Sequence, residues 1–340
     1  GNPGSTNRLL TVAQLETFRD VSYPLTVEVL GSRHKAMSSY VGKNPDQKLK
    51  YMSQIFSISN SMKAFGGYLG GLRDPYLMAR KKDFEKNFKN AVAGKPELRS
   101  KYGDPWTEIA SYEEQRRAIL PEANALNLRA RSAYLSIAAS LADYASIAKS
   151  TPDRIPPQFH PQRIQGARTA LVPEIEKALL VDQLKYMKSV LGSRNEAFNK
   201  LTGGRSPEQV AEDVSKNSDI ASKEKFDALV SGKPDDILVS TDPLISFAVQ
   251  NLPRWNELQA KLTEFRDKQG SRVQLLGKAL YEVYGTSIPP DATFTLRIAD
   301  GVVKGYEYNG TIAPPVTTFY GMYDRYYSFG KKEPWNLPGK

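Results

Sequence analysis

The side chain best suited to recognition chemistry is Asn60, in a segment that predicts one long helix over residues 46–74. An amide both donates and accepts hydrogen bonds. The residues that share its helical stripe are small: Ser53, Ser57, Ala64 and Gly67. The opposite stripe is apolar and consists of Tyr51, Ile55, Ile58, Met62 and Phe65. We expect both faces to be covered, and an interior amide more often serves structure than a ligand.

The two histidines, His34 and His160, do not stand in a catalytic or metal-binding pattern. His34 lies between Arg33 and Lys35, whose charges disfavour a metal ion, and His160 lies in a proline-rich loop. The sequence has neither an H-E-x-x-H pattern nor a G-x-S-x-G elbow. It also lacks cysteine, which excludes disulfides, thiol nucleophiles and cysteine metal sites. The residues themselves therefore predict no catalytic group, no metal and no cofactor.

The composition is that of a folded protein with a basic, solvated surface. The chain has 340 residues, of which 40% are hydrophobic and 25% charged, and its net charge is +10. This length exceeds what one compact core usually holds, so we expect two lobes or one elongated helical body. Basic residues are interspersed with acids, and we expect neither nucleic-acid binding nor a membrane span. Since Gly1 is not a natural start, we expect a piece of a longer protein.

Helical periodicity and cap residues predict a mainly α chain. Thr11 is expected to cap a helix that reaches residue 40 with a kink at Pro24, and Asp74 to cap the helix after the central one. Pro243 and Pro253 are each expected to open a helix. Further helices are predicted over residues 96–102, 105–120, 122–150, 173–191, 207–216 and 223–230.

The pattern changes after residue 290, where β-branched and aromatic residues alternate with polar ones. The dipeptide Asp300-Gly301 predicts a hairpin between residues 293–299 and 302–308. An aromatic cluster follows over residues 317–329, and such clusters more often anchor one domain on another than support a cofactor. We therefore predict β structure at both chain ends, which meet in a domain that the chain enters and leaves.

Three patches, in the right order, resemble the bacterial dipeptidyl-peptidase seven/eleven family of serine exopeptidases. They are GNPGSTNR at residues 1–8, YMSQIFSISNSMKAFGG at residues 51–67, and PPDATFTLRIADGVVKGYEYNGT followed by TTFYGMYDRYYSFG within residues 289–330. The resemblance implies a chymotrypsin-like double β-barrel with an inserted helical domain that caps the cleft. The corresponding domains would be a barrel-derived segment at residues 1–10, a helical cap at 11–288, and a hairpin and aromatic segment at 289–340 that returns to the barrel.

The resemblance also implies that the catalytic triad lies outside this chain. The segment GNPGS is similar to the family's Gly-Asn-Ser-Gly-Ser motif, but Pro3 occupies the nucleophile's place, so Ser5 is not the nucleophile. This chain alone is therefore expected to be inactive. One binding residue carries over, because Asn60 corresponds to the asparagine that holds the substrate's free N-terminal amine. A hydrogen bond of this charged kind contributes roughly 1.5–3 kcal/mol, and the resemblance favours the ligand role for Asn60.

For the full-length enzyme the resemblance implies a peptide substrate with a free N-terminus, a homodimer, a periplasmic location and no cofactor. Two alternatives stay open. The first is a non-catalytic helical adaptor that binds a protein partner through the glycine-rich helix end and the aromatic cluster. The second is an inactive homologue that keeps the cap but has lost the triad.

Overall fold

The chain is mainly helical, as predicted, and divides into two compact units. The computed structural model describes residues 6, 9–288, 291–292, 294, 296, 298, 300–308 and 310–337. The helical unit is Leu9–Pro289, and the terminal unit combines Gly1–Arg8 with Pro290–Lys340. The predicted GNPGS segment at residues 1–5 lies outside the described residues. That the terminal unit belongs to a β-barrel stays a prediction.

Proline residues open most helices of the helical unit. Within the described residues these helices are α1 (Val12–Thr17), α2 (Tyr23–Lys43), α3 (Lys48–Arg73), α4 (Pro75–Ala93), α5 (Pro96–Tyr102), α6 (Pro105–Ala125), α7 (Ala133–Ser150), α8 (Pro161–Thr169), α9 (Pro173–Leu191), α10 (Glu196–Thr202), α11 (Pro207–Asn217), α12 (Lys223–Ser231), α13 (Pro234–Leu238) and α14 (Pro243–Tyr284). Proline suits the first helical position because its φ angle is already helical and its missing N–H would have had no partner there. None of the described helices is both long and apolar enough to cross a membrane.

The first helical stretch is distorted close to the predicted kink. Thr11 caps α1 as expected, in a reciprocal capping box with Gln14. A π-helical turn over Phe18–Ser22 then separates α1 from α2, and the Tyr23 N–H donates to the Phe18 carbonyl. Pro24 has no N–H for the helical bond to the carbonyl four residues earlier. The chain accommodates that loss in the turn before the proline, where the rings of Phe18 and Tyr23 stack at 5.0 Å.

The single helix predicted over residues 122–150 is wrong. Helix α6 continues through Pro121 to Ala125, residues 126–132 form a turn, and α7 begins at Ala133. The Gln183 side chain of α9 holds this turn, since it accepts from the Ser132 N–H at 2.9 Å and donates to the Asn127 carbonyl at 3.1 Å. These contacts come from a residue distant in sequence, which helical periodicity does not reveal.

The prediction that Pro253 opens a helix is also wrong, because Pro253 lies inside the 42-residue helix α14. Proline in a helix interior removes one backbone hydrogen bond and crowds the preceding turn. Residues on both sides of it are fully buried, including Phe247 and Leu258. Tertiary packing on both sides of the proline therefore keeps the helix continuous despite the local cost.

The α2–α3 pair positions Asn60. The two helices are joined by a short turn over residues 44–47, and the rings of Tyr40 and Tyr51 meet edge to face at 5.7 Å near that turn. At the far end Tyr23 of α2 contacts Phe65 of α3 at 5.6 Å. The apolar stripe predicted for α3 is therefore directed at α2. A small cluster then joins the pair to α9, made of Ala36, Met37, Tyr51, Ile175 and Leu179.

In the terminal unit Thr6 contacts Asp291 and Ala292, which are distant from it in sequence. The Thr6 N–H donates to the Ala292 carbonyl at 3.0 Å, and the Thr6 hydroxyl donates to Asp291 Oδ1 at 2.7 Å. The remaining elements are strands β1 (Tyr306–Tyr308) and β2 (Thr311–Ala313), which pair antiparallel, and helix α15 (Phe319–Ser328). The Arg325 guanidinium lies over the rings of Tyr308 and Trp335, at 5.1 and 5.0 Å.

The hairpin predicted at Asp300-Gly301 is wrong. Residues 300–305 contain no strand, and the observed hairpin pairs Tyr306–Tyr308 with Thr311–Ala313 instead. Residues 293, 295, 297 and 299 of the predicted first strand lie outside the described residues. The sequence between the two observed strands is Asn309-Gly310, which is also a preferred hairpin pair. Gly310 has φ +75°, which glycine adopts without strain.

We predict that Leu184→Ala lowers the free energy of unfolding by about 2–5 kcal/mol. Leu184 of α9 is fully buried in the main core between α7, α9 and α14, so truncation leaves a cavity. Chemical denaturation measures the change. Val239→Ala is the control, because Val239 is 76% exposed and its truncation should change stability by less than about 0.5 kcal/mol. Equal effects of the two substitutions would contradict this description of the core.

Candidate functional site

Asn60 lies on the exposed face of α3, opposite the stripe that packs against α2. Ser53, Ser57, Ala64 and Gly67 are exposed with it. A Cβ added at Gly67 or Gly71 would meet no atom within 4 Å. The expectation that this face is closely covered is therefore wrong for the described part of the chain. The physical reason is that α2 covers only the apolar stripe and no other described element reaches around the helix.

The Asn60 side chain is unpaired within the described part of the chain. Its neighbours one helical turn away are Phe56, which is 63% exposed, and Lys63, which is also exposed. The face thus presents an amide between an apolar ring and an ammonium group. The amide oxygen can accept from a cationic donor and the amide nitrogen can donate to a carbonyl.

A groove of about 540 Å³ begins one turn from Asn60, at Ser57 and Ile58 of α3. Helix α2 contributes Arg33 and Met37, and the turn before α7 contributes Arg129. The other lining residues are Tyr51, Gln54, Arg131, Ser132, Ala133, Ser136, Ala170, Val172, Ile175, Glu176 and Leu179. Its apolar residues include Tyr51 and Ile58 of α3 and Ile175 and Leu179 of α9. Its charged residues come from three segments, which are α2, the turn before α7, and α9.

Two of the three guanidinium groups that line the groove are already paired with carboxylates. Arg129 pairs with Asp143 at 2.5 Å, and Arg131 with Glu28 at 2.7 Å. Arg33 differs, because its Nη2 donates to the Ala130 carbonyl at 3.0 Å and it forms no ion pair in the described part of the chain. Arg33 is thus the groove cation without an ion-pair partner in the described part of the chain.

Glu176 is the only carboxylate among the described groove residues. Its Oε2 accepts from the Ala133 N–H at 2.5 Å, at the first residue of α7. Burial raises the pKa of the Glu176 carboxyl above its ordinary value of 4.5, and the Ala133 N–H, the charge of Arg33 and Ser132 oppose that rise. The carboxylate therefore serves as an extra cap of α7 at a cost in desolvation.

The structure brings neither histidine to this region. His34 is half-buried on α2, and His160 is exposed with Nε2 2.8 Å from the Ile155 carbonyl; neither lines the groove. No group of His, Asp or Glu among the described residues is arranged to hold a metal. The sequence analysis missed Arg33 and Glu176 as groove residues. The sequence feature that could have indicated the groove is the pair of arginines, Arg129 and Arg131, in the three residues before the helix cap Ser132.

We predict that Glu176→Gln stabilises the protein more at about pH 8 than at about pH 4. Because the pKa of Glu176 is above 4.5 in the folded protein, the folded protein holds this proton at pH values where the unfolded chain has lost it. The free energy of unfolding therefore falls as the pH rises from 4.5 through the folded pKa, and the glutamine variant avoids this fall. The glutamine oxygen can still accept from Ala133. Thermal melts at both pH values measure the difference.

Glu114→Gln is the matched control, because Glu114 is an exposed helical glutamate without an ion pair in the described part of the chain. Its melting temperature should follow the wild-type pH dependence. If the effect of Glu176→Gln on the melting temperature does not change with pH, the conclusion that burial raises the pKa of Glu176 is wrong.

Known proteins resemble the chain over nearly its full length. Dipeptidyl-peptidase 7 of Capnocytophaga gingivalis is 25% identical, over 89% of this chain and 43% of its own length. The Asp/Glu-specific dipeptidyl-peptidase of Flavobacterium psychrophilum is 24% identical, over 94% and 46%. The crystal structure of Porphyromonas endodontalis DPP11 matches with a TM-score of 0.67 and 18% identity, over 96% of this chain and 48% of that one.

The same fold recurs in DPP11 in complex with the dipeptide Arg-Glu, with a TM-score of 0.67 and 19% identity, over 99% of this chain and 49% of that one. The chain spans about half the length of the curated relatives it matches. These matches confirm the resemblance to the dipeptidyl-peptidase family. The family model described as Peptidase S46 matches residues 1–340, and the chain therefore belongs to the peptidase S46 family.

Proposed function

We propose that this chain is the helical portion of a serine dipeptidyl-peptidase, which removes dipeptides from peptide N-termini, and that Asn60 binds the substrate's free amine. Membership of the peptidase family supports the reaction class. Relatives are named dipeptidyl-peptidases, and DPP11 structures contain the dipeptides Arg-Glu and Arg-Asp. The observation that carries the role of Asn60 is its unpaired amide on an exposed face of small residues.

The face suits an amine for physical reasons. The amide oxygen of Asn60 accepts from an ammonium group, and the small neighbours Ser57 and Ala64 let a peptide backbone approach α3 closely. Phe56 offers an apolar surface beside it. An asparagine on the middle of a 26-residue helix is also held rigidly, which lowers the entropic cost of binding.

The rest of the proposal concerns the complete enzyme. Its triad would lie in polypeptide outside this chain, its location would be periplasmic, and it would act as a homodimer without a cofactor. Helices capping a cleft would exclude chains that extend beyond the free amine, which explains release of dipeptides only. A fluorophosphonate probe should label the full-length protein and leave the 340-residue chain unlabelled. Labelling of this chain alone would show a nucleophile within it.

We predict that Asn60→Ala in the full-length enzyme lowers kcat/KM on dipeptidyl substrates by about 10- to 150-fold, the equivalent of one charged hydrogen bond. Steady-state kinetics with a dipeptidyl fluorogenic substrate measures the change. Ser53→Ala is the control, because Ser53 is exposed on the same face and should leave kcat/KM unchanged. Unchanged kinetics for Asn60→Ala would remove Asn60 from the substrate site.

A non-catalytic adaptor is the second candidate, favoured by one observation. Helix α15 has no buried residue, and most of its aromatic residues are exposed, with Phe319 at 79% and Tyr320 at 83%. Such rings suit a protein partner. The neighbouring coding sequence separates the two candidates, since an upstream histidine and aspartate with a downstream Gly-Asn-Ser-Gly-Ser would exclude a pure adaptor. An intact triad that fluorophosphonate does not label would identify an inactive homologue.

A further inference from the structure

We propose that the groove between α2, α3, α7 and α9 binds a small apolar carboxylate, with Arg33 holding the carboxylate group. The ligand class is a monocarboxylic acid with a hydrophobic body, such as a fatty acid or the C-terminal residue of a peptide. The groove lies within the helical unit, and its lining does not include Asn60. The inference goes beyond the peptidase function, although Ser57 borders both the groove and the face that carries Asn60.

Arg33 carries the guanidinium charge of this groove that has no ion-pair partner among the described residues. The charges of Arg129 and Arg131 are balanced by Asp143 and Glu28. Glu176, the carboxylate of the lining, accepts from the Ala133 N–H and forms no ion pair with Arg33. The preference for an anion therefore rests on the open N–H groups of Arg33 and not on an excess of positive charge.

Arg33 is the guanidinium able to bind that anion. Arg129 and Arg131 are committed to Asp143 and Glu28, and the Arg131 side chain is only 2% exposed. Arg33 uses one nitrogen on the Ala130 carbonyl, which fixes the guanidinium in place and leaves its other N–H groups without a carboxylate. A guanidinium fork matches the two oxygens of a carboxylate, so the best ligand presents a carboxylate to Arg33.

The remaining lining requires an apolar body. Met37, Ile58, Val172, Ile175 and Leu179 contribute hydrocarbon from three helices. A volume of about 540 Å³ falls within the usual range of small-molecule sites, which are mostly apolar with a few placed polar groups. An inorganic anion would leave this apolar surface wet, whereas a hydrophobic acid would cover it.

The test compares an acid with its amide in ligand-observed NMR titrations of the full chain. N-acetyl-L-leucine and decanoate should both bind, and N-acetyl-L-leucinamide, which lacks only the carboxylate charge, should bind at least about tenfold more weakly. Binding of decanoate alone would assign the site to fatty acids, and binding of N-acetyl-L-leucine alone to peptide C-termini. Equal binding of acid and amide, or binding of neither acid, would overturn the proposal.

Substitutions in and outside the groove test whether the ligand binds there. Arg33→Gln should weaken acid binding about tenfold and leave amide binding unchanged, whereas Arg163→Gln, at an exposed arginine without an ion pair in the described part of the chain, should alter neither. Ser57→Trp places a bulky side chain in the lining of the groove and retains Arg33, so it should abolish binding even if Arg33→Gln does not fold. A folded Ser57→Trp variant with wild-type affinity would refute the location.

Discussion

The packing of the apolar stripe of α3 against α2 is the constraint on which the candidate site depends. Tyr51 at one end and Phe65 at the other contact aromatic rings of α2, so the rotation of α3 about its axis is fixed at both ends. Burying such a side chain contributes about 1.5–3 kcal/mol, which no exposed polar contact of α3 can match. Once the stripe is turned inward, geometry places the small residues and Asn60 on the outside.

The attachment of the α2–α3 pair to the rest of the helical unit consists of a small apolar cluster and polar contacts. Its apolar part is the small cluster around Met37, Ile175 and Leu179. Its polar part includes the ion pair of Arg131 with Glu28, in which the Arg131 side chain is 2% exposed and the Glu28 side chain 56%. Such a small cluster does not fill the space between α3 and α9. The groove is thus a consequence of how the pair is attached. Glu176 at its edge is partly desolvated, which raises the pKa of its carboxyl.

Local chemistry was predictable from the sequence, and tertiary context was not. Caps such as Thr11 and Asp74 are short-range interactions between neighbouring residues, and the structure confirms them. The prediction for Pro253 failed because the local preference of proline is to begin a helix, whereas packing of Phe247 and Leu258 on either side of it keeps α14 continuous. The small stripe of α3 correctly marked a distinct face, but periodicity cannot tell a face that packs from one that stays open. The groove was beyond prediction because Arg33 and Glu176 meet only after four segments have folded together.

Asn60 and the groove share one helix yet select opposite charges. The amide oxygen of Asn60 prefers a cationic donor, and Arg33, which lies on α2 and lines the groove, prefers an anion. Neither preference competes with an ion pair in the described residues, since the amide is unpaired and Arg33 donates to the Ala130 carbonyl there. A molecule with a free ammonium is therefore directed to the exposed face of α3, and an apolar acid to the space behind it. The two polar groups lie on different helices, Asn60 on the outer face of α3 and Arg33 on α2, and Ser57 borders both surfaces.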